Sequence, residues 1–281
     1  MRTENEMMQM ILSFAEADER IRLVGMEGSR TNPNVPADRF RDYDISFLVT
    51  DMASFQQNDK WLDAFGRRAM MQKPEAMSLF PPELGNWFSY LILFEDGNKL
   101  DLTLIPLDEL SLYIASDKLL TILLDKDGIA PPLPAATDRD FWIKKPSAAC
   151  FDDCCNEFWM TSTYIAKGLC RDELPFAAYH MEAVVRPQLL TMLSWKIGTE
   201  TSFTHSLGKH YKFISRYLSR SEWEMLVRTY RMDGCSACWA ALTAAYELFS
   251  AASHTVAMRL GFVYPDYERS VTAYVRRMRN M

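Results

Sequence analysis

The sequence predicts an α+β protein: a mixed sheet with flanking helices in the first half, followed by a helical bundle in the second. Two observations carry this. Short β-branched and aromatic runs alternate with helical periodicity up to about residue 145, and Glu95-Asp-Gly-Asn98 separates two of those runs as a hairpin turn. Beyond Pro146 the segments lengthen and keep a helical period, with Gly, Pro and Ser between them. Charge shifts with the pattern: residues 1–145 carry 16 Lys and Arg against 24 Asp and Glu, and residues 146–281 carry 15 against 13. Two domains are expected, 1–145 and 146–281.

The elements follow in order. Thr3-Glu-Asn-Glu6 has the form of a capping box ahead of Met7, Met8, Ile11, Leu12 and Ala15, which recur at helical spacing. Ile21 to Gly25 suits a buried strand that ends at the turn signal Gly28-Ser29, and Asp42 to Thr50 reads as a second strand. Trp61, Leu62 and Phe65 suggest a helix, and Asn86 to Phe94 with Lys99 to Ile105 make the hairpin. In the second half, helical periodicity covers 148–168, 173–198, 208–218, 221–231 and 235–260.

Composition bounds the function. With 48% hydrophobic and 24% charged residues the chain is no disordered segment. A net charge of −6, with no basic stripe interleaved by aromatics, argues against a nucleic-acid partner. The charged N-terminus lacks an apolar signal core. The run Leu119 to Leu124 is far below the roughly 20 residues of a membrane span. A cytoplasmic protein without a membrane partner is expected, its six cysteines reduced. Cys235-Ser-Ala-Cys238 stands alone and the four histidines are scattered, so no Cys/His metal site is read.

The chemistry-bearing residues are carboxylates. Alternate side chains of a strand share a face, so Asp42 and Asp44 point one way and Tyr43 and Ile45 the other. Asp101 projects away from the apolar face of Leu100, Leu102 and Leu104. Carboxylates so grouped suit Mg²⁺, with water and substrate phosphates completing its shell. Two such ions about 3.5–4 Å apart clamp the entering and leaving oxygens of nucleotidyl transfer. Gly28 allows a tight turn, and Ser29 offers N–H and hydroxyl to a phosphate. P-loop, dinucleotide, zincin and nucleophile-elbow motifs are absent.

In this order (strand, Gly-Ser, spacer, Asp-x-Asp strand, hairpin, Asp strand) the chain resembles the nucleotidyltransferase superfamily. It is more closely similar to the bacterial aminoglycoside 6-adenylyltransferases, the streptomycin-resistance enzymes. That likeness is carried by Leu23-Val-Gly-Met-Glu-Gly-Ser-Arg30, Asp42-Tyr-Asp-Ile-Ser46 and Leu79-Phe-Pro-Pro-Glu-Leu-Gly-Asn-Trp-Phe-Ser89. Phe94-Glu-Asp-Gly-Asn-Lys-Leu-Asp-Leu-Thr-Leu-Ile-Pro106 and Phe151-Asp-Asp-Cys-Cys-Asn-Glu-Phe-Trp159 continue it. It spans nearly the whole chain, weakening around 111–135 and after about 233.

The resemblance implies a nucleotidyltransferase fold in 1–145 and a helical substrate- and ATP-binding domain in 146–281. It implies ATP as co-substrate, two Mg²⁺ ions, and transfer of AMP to the 6-hydroxyl of streptomycin with release of pyrophosphate. Asp42 and Asp44 match the metal pair and Asp101 the third acidic position, often Glu in relatives and a candidate general base. Two alternatives stay open: a different small hydroxylated acceptor such as a lincosamide, and a non-catalytic aminoglycoside-binding relative.

The helical half adds candidates. Asp153 and Glu157 stand at i, i+4 on one helical face, where they either support a helix start or take the guanidinium groups of streptomycin, with Asn156 beside them. Lys209, and less strongly Lys212, follow Gly208 at an expected helix start and are candidates for the triphosphate, as are Arg41 and Arg30 beside the Asp and Gly-Ser motifs.

Overall fold

In the computed structural model, which describes residues 1–280, the chain opens on the capped helix α1, Glu4–Ala17. The Thr3 hydroxyl accepts from the Glu6 N–H while the Glu6 carboxylate accepts from the Thr3 N–H, so two end donors are satisfied reciprocally. Met7, Ile11 and Ala15, one helical turn apart, are fully buried. The rest of the first unit, Met1–Asp140, is built around six strands. These are β1 (Ile21–Glu27), β2 (Tyr43–Val49), β3 (Arg68–Gln72), β4 (Phe88–Phe94), β5 (Lys99–Pro106) and β6 (Leu120–Asp125).

The sheet order is β3-β4-β5-β2-β1-β6; β2 and β5 run parallel and every other neighbour is antiparallel. One face carries Tyr43, Ile45, Phe47 and Val49 with Leu100, Leu102 and Leu104, packed with α1 and Phe55 of the short helix α2, Met52–Gln56. Each large side chain buried there contributes about 1.5–3 kcal/mol. The opposite face is divided along its length. Leu48 and Ile105 join Leu23, Leu120 and Tyr113 of α3 (Leu110–Ser116) in a second, smaller core. At the other end the same rows of the pleat present Asp44, Ser46, Asp101 and Thr103.

Several expectations shift. The second strand starts at Tyr43, so Asp42 immediately precedes it. Trp61, Leu62 and Phe65 lie in a tight 3₁₀ turn, Lys60–Phe65, instead of an α-helix.

The second unit, from Phe141 onward, is helical. Its helices are α4 (Ala148–Cys170), α5 (Leu174–His180), α6 (Arg186–Glu200), α7 (Arg220–Arg228), α8 (Cys235–Leu260) and α9 (Tyr267–Arg279). Ser147 caps α4 by accepting from the Cys150 N–H, a contact worth about 1 kcal/mol. The single helix expected over 173–198 is two, joined by a π-helical turn at Met181–Val185. Pro187 has no N–H to close the preceding turn, which disrupts the regular ladder.

The helix expected over 208–218 does not form; only the turns Lys209–Tyr211 and Ile214–Arg216 are present. Gly208, His210 and Tyr211 all have positive φ, which no right-handed helix accommodates. Helix α9, which the sequence reading omits, packs Val275 with Val271, Met278 and Tyr267 against the core. Among the described residues no helix is long and apolar enough to cross a membrane.

Candidate functional site

The strand pairing brings the predicted carboxylates together. Parallel pairing of β2 with β5 sets Asp44 directly opposite Asp101. Asp42, one residue before β2, meets the same group from the strand end: the Lys99 ammonium donates to Asp42 Oδ2 at 2.9 Å and to Asp101 Oδ2 at 2.6 Å. Burial raises the pKa of Asp44 to about 6, with the charges of Asp101 and Asp42 adding to it. Burial opposes the charge on Lys99, but its hydrogen bonds to Asp101 and Asp42 outweigh that and its pKa is raised.

The Gly28-Ser29 turn lies against this cluster. Gly28 has φ +71°, and a Cβ there would stand 2.3 Å from Asp44 Oδ2, so only glycine brings the backbone this close to the carboxylate. Ser29 sits in the 3₁₀ turn Gly28–Arg30, its carbonyl accepting from the Arg41 guanidinium at 3.4 Å. Arg30, expected as a phosphate ligand, is committed elsewhere. Its guanidinium donates to the carbonyls of Asp42 and Arg41 at 2.9 and 3.0 Å, pairs with Glu4, and stacks 3.6 Å from the Tyr43 ring centre. Arg30 thereby clips the loop's far end to β2, and its side chain is only 6% exposed.

A fourth carboxylate, which sequence reasoning missed, shares this face. The β1–β2 register pairs Met26 with Ile45, which sets the next residue, Glu27, beside Asp44. Glu27 accepts from the Tyr113 hydroxyl, and its hydrogen-bonding also involves Ser46. Burial raises its pKa to about 7 despite those hydrogen bonds. Gly25 makes the arrangement possible, since a Cβ there would fall 1.6 Å from the Tyr113 hydroxyl oxygen. The place of Glu27 directly before Gly28-Ser29 is the signal the sequence offers.

The donor set suits a hard divalent cation. Asp42, Asp44 and Asp101 offer carboxylate oxygens alone, and Asp101 Oδ1 is buried without a hydrogen-bond partner. In the present arrangement, no three Asp, Glu, His or Cys side chains among the described residues are grouped closely enough to grip an ion.

In the helical unit, Asp153 and Glu157 are exposed on one face of α4, with Asn156 beside them. Ser147 starts that helix and its first turn has no acidic residue, so Asp153 lies one turn too deep to support the helix start. Lys209 and Lys212 are both exposed. Lys209 stands in a three-residue turn, which removes the helix dipole expected to assist it. The segment around it, through Gly208, His210 and Tyr211, walls a cleft of about 420 Å³ completed by Trp195, Thr191 and Lys144.

Comparison with known proteins adds a separate line. A family profile described as streptomycin adenylyltransferase matches residues 1–278. The chain is 56% identical to the aminoglycoside 6-adenylyltransferase of Bacillus subtilis (strain 168), across 98% of this chain and 97% of that protein. It is 50% identical to the aminoglycoside 6-adenylyltransferase of Campylobacter jejuni, across 99% of this chain and 96% of that one. A crystal structure of an aminoglycoside 6-adenyltransferase from Bacillus subtilis matches 99% of both chains at 51% identity, with a TM-score of 0.49.

Proposed function

The chain belongs to the streptomycin adenylyltransferase family, and from that premise we propose that it transfers AMP from ATP to an aminoglycoside, the acceptor being streptomycin and the site its 6-hydroxyl. Pyrophosphate is the leaving group. The observation that carries the reading is the register pairing of Asp44 with Asp101 against the Gly28 turn, with Asp42 at the strand end.

Asp42, Asp44 and Asp101 would hold Mg²⁺, which when bound supplies charge neutralisation at the reacting phosphate. Asp101, at the third acidic position of the family pattern and on the same face as Asp44, is also the proposed acceptor of the attacking hydroxyl's proton. The Gly28-Ser29 turn orients phosphate through its N–H groups and the Ser29 hydroxyl, and Arg41 steadies that turn from behind. Lys209 and Lys212 are the proposed phosphate ligands of the helical unit. Asp153 and Glu157 are its proposed ligands for the guanidinium groups of the acceptor, each carboxylate able to accept a bidentate pair.

Incubation with ATP, Mg²⁺ and streptomycin, followed by mass spectrometry, tests the reading. An AMP adduct that fragmentation locates at the 6-hydroxyl supports it in full. An adduct elsewhere corrects the position, and the absence of any adduct across an aminoglycoside panel refutes it.

A further inference from the structure

Lys99 is a charged residue that the reaction, as described, leaves without a task. It precedes Asp101 by two residues on β5, so the pleat sets both side chains on one face. Its ammonium spans Asp42 Oδ2 and Asp101 Oδ2 at 2.9 and 2.6 Å. It therefore occupies the position between carboxylates where a divalent ion would need oxygens from both sides. The three aspartates bring up to three negative charges together, Asp44 opposite Asp101 and Asp42 at the strand end. A resident cation relieves that repulsion while the enzyme is empty.

We propose that Lys99 is a built-in counter-ion that competes with the divalent cation for Asp42 and Asp101, so that metal and nucleotide bind together and either alone binds weakly. This deepens the proposed function and rests on its metal-site reading. A bare ion must strip the ammonium from two carboxylates, which leaves a flexible cation without a partner. Nucleotide removes that cost, because its phosphate oxygens offer the freed ammonium new acceptors. Coupling between two ligands is reciprocal, so the nucleotide's affinity rises with metal by the same factor. Lys99 is then a positioning residue, acting through the carboxylates when the site is empty and through phosphate when it is filled.

The test uses Mn²⁺ as the metal probe and a non-hydrolysable ATP analogue, with binding read by titration calorimetry and electron paramagnetic resonance. Lys99→Met is expected to tighten Mn²⁺ binding in the absence of nucleotide by about tenfold, and to shrink the metal–nucleotide coupling by a similar factor. Lys99→Arg keeps a cation and is expected to stay near the parent in Mn²⁺ affinity, which separates charge competition from loss of fold. Unchanged or weaker Mn²⁺ binding by folded Lys99→Met, alongside parental coupling, overturns the proposal. Asp44→Asn distinguishes the two levels. If it abolishes Mn²⁺ binding while Lys99→Met changes nothing, the metal reading stands and the Lys99 proposal falls. If Mn²⁺ binding ignores Asp44→Asn, both fall.

Discussion

Asp44 and Asp101 face each other across the parallel strands β2 and β5, two carboxylates held side by side by backbone register. Replacing Asp44 with its amide keeps the shape and removes a charge that burial and its neighbours already disfavour. Asp44→Asn is expected to melt no lower than the parent while transfer drops by about a thousandfold or more. Pyrophosphate release and calorimetric melting check the two halves, and near-parental turnover in the folded variant would sink the metal assignment.

Gly28→Ala addresses the turn. Its φ of +71° strains any residue with a Cβ, and that Cβ would collide with Asp44 Oδ2. The expected result is a loss of about 1–3 kcal/mol in stability and a fall of about a hundredfold in turnover. Urea denaturation and steady-state kinetics read these, and an active variant of parental stability contradicts the geometry.

Glu27 makes a pH prediction whose sign is fixed. Its carboxyl titrates near 7 in the fold against an ordinary value of 4.5. Between those values the folded chain keeps a proton that the unfolded chain has lost. Its stabilising effect is therefore full below the lower value and disappears as pH rises through the upper one. Glu27→Gln removes this dependence, so relative to the parent the variant gains up to about 3 kcal/mol between pH 4 and pH 8. Melting both proteins at the two pH values is the measurement, and a constant difference between them counts against a buried, proton-holding Glu27.

Asp153 and Glu157 bear little of the fold's weight: both are exposed, and Glu157 accepts only the Thr161 hydroxyl at 3.3 Å. The double substitution Asp153→Asn with Glu157→Gln is expected to raise the KM for streptomycin by about tenfold or more. The KM for ATP and the melting temperature should stay near parental. A rise in both KM values, or in neither, argues against a guanidinium site on α4.

What the sequence discloses depends on distance along the chain. The pleat period alone puts Asp101 opposite in sense to Leu100 and Leu102, and the capping box of α1 is legible in four residues. Glu27 is hidden because its burial depends on Tyr113, 86 residues further on, and on the glycine that admits that ring. Lys99 is equally opaque, since its second partner, Asp42, is 57 residues away. The failed helix at 208–218 has a helical period that a local fold-back overrides: the Phe213 N–H donates to the Leu207 carbonyl at 2.9 Å, and a Cβ on Gly208 would meet the Phe213 ring at 2.7 Å. In α9, Tyr267, Val271, Val275 and Met278 do recur at helical spacing, diluted by a strongly basic remainder.

The division of one sheet face into a polar end and an apolar end makes chemistry and folding share a single ruler. Sliding β5 by one residue along β2 would place Leu100 or Leu102 where Asp101 stands, and would drive charge into the core beneath α1. A one-residue deletion inside β5 is thus an error in two languages at once, losing the solvent-shielded wall and the reactive oxygens together. The stretch between Arg30 and Arg41 is under no such double jeopardy: arginines pin its two ends, Thr31 and Asn34 tie its first part to the Leu119 carbonyl and to Asp138, and the exposed run 36–40 lies outside the sheet. Variation that leaves catalysis alive should therefore enter through that span, while the paired strands tolerate exchange of side chains and never a change of count.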